Sequence, residues 1–501
     1  MEILAYLAAA LTFENLLYAL VGVVLGTAIG ALPGLTATMA LAVLVPFTFT
    51  MAPASAMIAL GAIYTGALYG GAYSAILINT PGTPSAIATT FDGFPLTRKG
   101  EGSFAVSLAC VSSVVGGLIG GLLLLMLAPP LATLALAFGP VEYFWIALLG
   151  LTLISAISEG NVLKGLIGGC IGLLLSMVGA AVMGGDLRFT FGTPHLVGGV
   201  EMISALIGLY CIPILIDLVA EPERGLFTGK RTTHVPLRRT LKASWDGKIN
   251  LLRSGAIGTL VGALPGAGGS IASLVAYSEV RRSSRQPEKF GKGAPEGLQA
   301  TEAANSATVG GGFIPTLVLG IPGTPPDAVI LAAVMVQGVR TGPELFSSHA
   351  DIAYTFIFGL LIATIFMFPV GLALGRWAYN IVADLPKALL VPTVAFMCVI
   401  GSFAIHNNIN DVRMMVVLGV FGWLMSRLGF GPSPIVLGLI LGSIAEQGLV
   451  QGFLIGGATG NVLGMFFGRP ISLVIILLIL LALAYPLLLR RPRRGNYNAS
   501  E

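Results

Sequence analysis

Gly30-Ala31-Leu32-Pro33-Gly34 returns as Gly262-Ala263-Leu264-Pro265-Gly266, at an offset of 232 (262 − 30). A second pair follows each copy. Thr80-Pro81-Gly82-Thr83-Pro84 is echoed by Ile321-Pro322-Gly323-Thr324-Pro325, at an offset of 241 (323 − 82). Offsets near half of a 501-residue chain mean duplication. Each motif sits inside a segment otherwise apolar enough to be a membrane helix. Proline lacks an N–H and glycine lacks a Cβ, so helices break there. Broken apolar segments at matching positions of two halves point to the binding site of a membrane transporter.

Working outward, residues 14–32 form one apolar span ending at the first motif, and 35–50 begin a second helix or half-helix. Residues 55–79 run into Asn79-Thr80-Pro81-Gly82-Thr83-Pro84. The following Ser85–Thr90 stretch is too short to cross a bilayer, which takes about 20 residues. A helix, a polar tip and a short return predict a re-entrant hairpin, allowed at membrane depth only where protein or water covers it. Further apolar stretches lie at 103–127, 141–157, 161–183 and 196–219. The second half repeats the order with 254–264, the second motif, 310–320, the second tip and a run to Val336. Spans are then predicted near 352–375, 388–405, 412–428, 434–450, 452–467 and 471–489. The predicted class is an all-α polytopic membrane protein of two inverted-topology repeats, with discontinuous helices, re-entrant hairpins and roughly twelve spans. Its expected parts are a first repeat (1–220), a connector (221–253), a second repeat with a final helix (254–489) and a tail (490–501).

Composition agrees: 55% of residues are hydrophobic and 10% charged, against roughly 25% charged in soluble domains. No basic patch with interleaved aromatics suggests nucleic acid. Cys110, Cys170, Cys211 and Cys398 stand singly in apolar runs, without metal or redox spacing, and are read as packing residues. The N-terminus has no basic n-region and is read as uncleaved. Between Glu221 and Arg253 lie eight basic residues (Arg224, Lys230, Arg231, Arg238, Arg239, Lys242, Lys248, Arg253) against three acidic. That places the connector in the cytoplasm, and Arg490, Arg491, Arg493 and Arg494 place the tail there. The basic loop also changes place between halves. It comes after the tip in the first (Arg98-Lys99) but between the motifs in the second (Arg281, Arg282, Arg285, Lys289, Lys292). Repeats that cross the membrane in opposite senses would show this.

A broken helix exposes N–H groups at one half-helix start and carbonyls at the other's end. The first suits a carboxylate and the second a cation. The candidate substrate-binding residues are Pro33, Gly34, Thr36, Thr38, Asn79, Thr80, Gly82, Thr83, Gly266, Ser270, Pro322, Gly323 and Thr324. The candidate ion-binding positions are Gly34, Asn79, Gly266 and Gly320. Backbone at Gly34 and Gly266 is expected to approach ligand or ion; the other reading is that Gly-Pro pairs only kink helices for packing. Glu302 and Asn305, in a polar island, either line the cavity or start a helix at the membrane surface. Lys164 with Glu159 and Asn161, and His406-Asn407-Asn408 with Asp411 and Arg413, are surface turns or a coupling network. His195 is read as a loop residue. No catalytic set is present: no Walker loop, no His-Glu-x-x-His, no Gly-x-Ser-x-Gly.

The duplicated Gly-Ala-Leu-Pro-Gly, Tyr69-Gly70-Gly71-Ala72-Tyr73-Ser74 leading into Asn79-Thr80-Pro81-Gly82-Thr83-Pro84, and Gly320-Ile321-Pro322-Gly323-Thr324-Pro325 carry a family resemblance. Over nearly the whole chain the sequence resembles the large membrane subunit of the tripartite tricarboxylate transporters (TctA-type). The resemblance implies a secondary carrier in the bacterial inner membrane, not an enzyme, driven by Na⁺ or H⁺ and needing no other cofactor. It also implies a small four-helix membrane subunit (TctB-type), a periplasmic solute-binding protein (TctC-type), and citrate-like tricarboxylate, dicarboxylate or aromatic acid substrates. The expected function is therefore cation-coupled import of an organic carboxylate by alternating access. A passive channel or a scaffold subunit is the alternative, and a lipid-acting enzyme a third.

Overall fold

The computed structural model describes residues 2–32, 34–157, 162–181, 183–220, 236–375 and 387–489. Pro33, Glu159, Asn161, residues 221–235 of the connector and the 490–501 tail lie outside them. The described chain is helical apart from one two-stranded hairpin, β1 (Gly179–Ala180) antiparallel to β2 (Leu187–Arg188).

Both halves open with the same series. In the first it is α2 (Phe13–Gly30), α3 (Ala37–Leu44), α4 (Pro53–Ile78) and α5 (Ile87–Arg98), preceded by α1 (Glu2–Ala10). In the second it is α11 (Lys248–Gly262), α12 (Gly268–Ser283), α13 (Pro295–Leu319) and α14 (Pro325–Val336). The first half continues with α6 (Gly102–Ala135), α7 (Pro140–Ile157), α8 (Val162–Ser176) and α9 (Met202–Ala220), and α10 (Leu237–Asp246) leads into α11. The second continues with α15 (Pro343–Ser347), α16 (Ala350–Gly375), α17 (Lys387–His406), α18 (Ile409–Arg427), α19 (Pro432–Ala458), α20 (Val462–Phe467) and α21 (Pro470–Leu489).

Glycines set the packing. On α2, a Cβ added to Gly26 or Gly30 would fall inside van der Waals contact of the Ile63 and Ala67 carbonyls of α4. On α11, one added to Gly258 would meet the Ala304 carbonyl of α13, and one at Gly262 would lie 2.8 Å from the Thr308 carbonyl. These contacts match between halves at the same offsets, 232 on the first helix and 241 on its partner. Lipid tails are as apolar as leucine, so close backbone approach replaces the hydrophobic effect in joining membrane helices. Gly26→Leu should therefore separate α2 from α4, an overpacking of at least about 3 kcal/mol. The expected result is loss of most monodisperse protein on size exclusion, whereas Gly457→Leu, with nothing near its would-be Cβ, should leave the profile unchanged.

The halves interleave. Helix α6 packs along α13, and α16 along α4 and α6. The α7–α8 pair lies on α19, and α17 and α18 lie on α9. The largest core cluster gathers α3, α4, α9, α13 and α14 around Tyr64, Phe313 and Phe356. Leucines and valines instead face outward on α21 (Leu473, Val474, Leu477, Leu478, Leu480, Leu481), as a lipid-facing helix requires. Among the described residues eight helices are long and apolar enough to cross a membrane, and five further apolar helices are shorter.

Several boundaries depart from the sequence expectation. The spans expected at 434–450 and 452–467 are one helix, α19, followed by the short α20. Gly448 and Gly452 do not break it; they let it press on Pro140 and Val141 of α7. Helix α5 continues past Asp92-Gly93 to Arg98, because Asp92 is buried and its Oδ1 accepts the N–H groups of Gly293 and Ala294, 2.8 Å each. Arg281 and Arg282 belong to the last turn of α12, where cations complement the helix dipole. The described end of the connector is helical: α10 exposes Leu241 and Trp245, and Arg239 pairs with Glu101. Cys110, Cys211 and Cys398 are buried, while Cys170 is exposed.

Candidate functional site

In each half the broken helix and the tip meet. Helix α4 ends on Asn79 and α13 on Gly320, both left-handed (φ 55° and 70°). The chain then folds back. A Cβ on Gly82 would lie 2.5 Å from the Gly30 carbonyl and 2.8 Å from Gly71 Cα. One on Gly323 would lie 2.8 Å from both the Gly262 carbonyl and Gly312 Cα. These are the same contacts at the two repeat offsets. The Gly266 N–H donates to the Gly323 carbonyl at 2.7 Å, tying the second break to its own tip.

Gly34 and Gly266 have φ of +88° and +86°, which glycine adopts readily and other residues do not. A side chain at Gly34 would meet the flexible end of Leu218, whereas one at Gly266 would meet Ile154 down to its Cα, at 2.9 Å. Both glycines thus have a conformational reason to be there, and at Gly266 packing adds a second.

The half-helix starts differ. Thr36 caps α3, its Oγ1 accepting the Met39 N–H at 3.2 Å, and Thr38 is buried beside it. Helix α12 starts after Ala267 without a side-chain cap. Its first N–H groups therefore have no intrahelical partner, and Ser270 lies in that first turn. Thr36→Ala should lower stability by about 1 kcal/mol, read as a drop of a few degrees in Tm. Uptake per folded protein should fall by less than about twofold, since the bond the Thr36 hydroxyl accepts serves the helix end.

The start of α12 lies between the two tips. A Cβ on Gly268 would be 3.7 Å from Thr324 Cγ2 of the second tip, and one on Gly269 would be 2.9 Å from Ser85 Cβ beyond the first. The tips differ in cover. Pro322, Gly323 and Thr324 are buried, whereas Asn79 is exposed, Thr80 half-buried, and Thr83 buried with its Oγ1 3.0 Å from Ser85 Oγ. Asn79 and Thr80 therefore stand at the outer edge of this region and Thr83 and Thr324 within it, while Ser270 is half-buried in the first turn of α12.

Asn305 settles the meaning of the polar island. Helix α13 begins at Pro295, so Glu302 and Asn305 stand within it, both 0% exposed. The surface helix start is thus excluded. Both Glu302 oxygens are held, by Thr89 Oγ1 and by Ser113 Oγ. Neither Asn305 Oδ1 nor Nδ2 has a hydrogen-bond partner among the described residues. Its amide points at Gly269, so close that a Cβ there would overlap Oδ1. Buried amides are normally satisfied, and this one lies unsatisfied beside the uncapped start of α12.

Two residues escaped the sequence reading. Tyr64 of α4 places its hydroxyl 3.0 Å from Thr324 Oγ1, and Asp327, fully buried, accepts from that same Oγ1 at 2.6 Å. Asp327 carried a visible signal, a carboxylate inside an apolar run three positions past Thr324. Tyr64 carried none.

The remaining polar groups singled out lie at helix ends and in the short turn of helix before α9. Lys164 Nζ donates to the Leu428 carbonyl at 2.6 Å. Asp411 pairs with His406 at 3.0 Å, and Asn410 reaches His195 at 3.1 Å. Behind the second tip is a separate cavity of about 770 Å³, lined among others by Leu319, Gly320, Arg340, Thr341, Gln447 and Gln451.

The sequence profile of the tripartite tricarboxylate transporter TctA family matches residues 16–437. An uncharacterized 52.8 kDa protein in the TAR-I ttuC' 3' region of Agrobacterium vitis is 36% identical over 481 residues, covering 96% of this chain and 94% of that protein. An uncharacterized protein in the TAR-II ttuC' 3' region of the same organism is 34% identical over 232 residues, 46% of this chain and 94% of its own length.

Proposed function

The chain belongs to the tripartite tricarboxylate transporter TctA family, and from that premise we propose that it imports an organic carboxylate through a site between its two tips. It is a multi-pass membrane protein and a transporter component rather than a member of an enzyme family. The finer reading is a cation-coupled secondary carrier in the bacterial inner membrane, using Na⁺ or H⁺ and alternating access. In this reading the halves are inverted repeats of roughly twelve spans in all, with the basic connector and tail in the cytoplasm. It works with a small four-helix membrane subunit and a periplasmic solute-binding protein, which delivers a citrate-like acid, a dicarboxylate or an aromatic acid.

The observation that carries this reading is Asn305, buried with neither polar atom hydrogen-bonded among the described residues and with its Oδ1 against Gly269 at the start of α12. Its amide offers two N–H donors. The uncapped start of α12 offers more, with roughly half a positive charge. Together they receive a carboxylate without a fixed arginine, so release on the far side does not require breaking a strong ion pair.

The test is transport by the whole system. Proteoliposomes holding the chain with its small membrane partner, and the binding protein outside, should concentrate labelled citrate or another di- or tricarboxylate under an inward Na⁺ or proton gradient. Accumulation should stop when the gradient is collapsed. Flux that ignores the gradient would identify a channel instead, and turnover of a lipid without flux an enzyme.

A further inference from the structure

Asp327 sits in the first turn of α14, fully buried. Its Oδ2 accepts the Thr324 hydroxyl at 2.6 Å, and that hydroxyl lies 3.0 Å from Tyr64 Oη, which comes from the other half. Its Oδ1 is buried without a hydrogen-bond partner among the described residues. No lysine, arginine or histidine forms an ion pair with it there. The acidic side chains on the helices packed around α14 have partners of their own. Glu446 pairs with Arg188 at 2.8 Å and Asp217 with Arg427 at 2.8 Å, and Glu302 holds two hydroxyls.

A buried carboxylate without a paired cation is unfavourable unless something compensates its charge, and hydrogen bonds from Thr324 do so only in part. In membrane proteins such groups mark ion pathways. A first-turn acid also complements the helix dipole, and that simpler role needs only the N–H groups of its own helix. It does not call for a hydroxyl from the opposite half, nor for a carboxylate oxygen left open in a closed core. The duplication sharpens the point: the first-half position equivalent to Asp327 is Ala86 (327 − 241). The two tips have therefore diverged, one neutral and one acidic.

We propose that Asp327, with Thr324 Oγ1 and Tyr64 Oη, seats the coupling cation, a sodium ion or a proton, at the second tip. The neutral side, at Asn305 and Gly269, is left to the carboxylate. Oxygen donors of this kind suit hard cations. Because Thr324 lies against Gly268 and the next residue, Gly269, lies against Asn305, occupancy at one site can shift the other, which is what coupling requires. The assignment rests on the cation-coupled reading given above.

The experiment uses the full complex in proteoliposomes with labelled citrate, as native protein, Asp327→Asn and Tyr64→Phe. One arm imposes a sodium gradient with protons equilibrated; the other imposes a proton gradient without sodium. The arm that drives native accumulation identifies the cation. In that arm Asp327→Asn should lose at least tenfold in accumulation and cease to respond to the gradient, while running as folded protein on size exclusion. Tyr64→Phe should keep the maximal rate but need about fivefold more cation, one hydrogen bond's worth. Native-like accumulation by folded Asp327→Asn would overturn the assignment and leave Asp327 as a helix cap. If Asp327→Asn does not fold, an unshifted cation dependence in Tyr64→Phe would overturn it. A native complex that accumulates in neither arm would overturn the carrier reading, and this assignment with it.

Discussion

Asn305→Leu is expected to cut carboxylate uptake by at least about a hundredfold, or about 2.7 kcal/mol, while the folded protein becomes no less stable. The two effects have opposite signs because of what the amide lacks. A buried polar group without partners is destabilising, and an apolar group of similar shape in its place is neutral or favourable. The neighbouring Gly269 has no side chain for the leucine to strike. Removing the amide, in contrast, takes two donors from the carboxylate. Tm and initial uptake per folded complex are measured on the same preparation. A fall in Tm with normal uptake would show that Asn305 serves packing.

Gly269→Val should abolish uptake outright. Its Cβ would overlap Asn305 Oδ1 and stand 2.9 Å from Ser85 Cβ, driving the amide from the position in which it would meet a carboxylate. The backbone of Gly269 is ordinary helix, without the positive φ that singles out Gly268 next to it, so the valine acts by bulk at the site rather than by backbone strain. Uptake below one-hundredth of native, with near-native yield of membrane-inserted protein, is the expected result. Appreciable uptake by the valine variant would place the substrate elsewhere.

What the sequence disclosed and what it hid follow from contact range. The breaks and tips are local: glycine and proline announce them, and repetition makes them specific. The structure gives Gly34 and Gly266 the same positive φ, and Gly82 and Gly323 matching contacts. The hydroxyls were harder to assign, because one threonine serves as readily for a cap as for a ligand; Thr36 is a cap. Asn305 lay in a stretch polar enough to read as a surface, and only burial within α13 excludes that. Tyr64 was out of reach, since its partner Thr324 is 260 residues away in the other half. Helix α19 was divided for a related reason: the contacts of Gly448 and Gly452 with α7, far away in sequence, let one long helix pass where two spans were expected.

In the proposed reading one carboxylate site lies between the two tips, at Asn305 and the start of α12. The most direct measurement is an electron cryo-microscopy map of the complex with citrate bound, compared with one without it. New density is expected within hydrogen-bond distance of Asn305 Nδ2 and the N–H groups of residues 268–270, flanked by Ser85 and Thr324. Citrate density confined instead to the cavity lined by Arg340, Gln447 and Gln451, with the space between the tips unchanged, would contradict it.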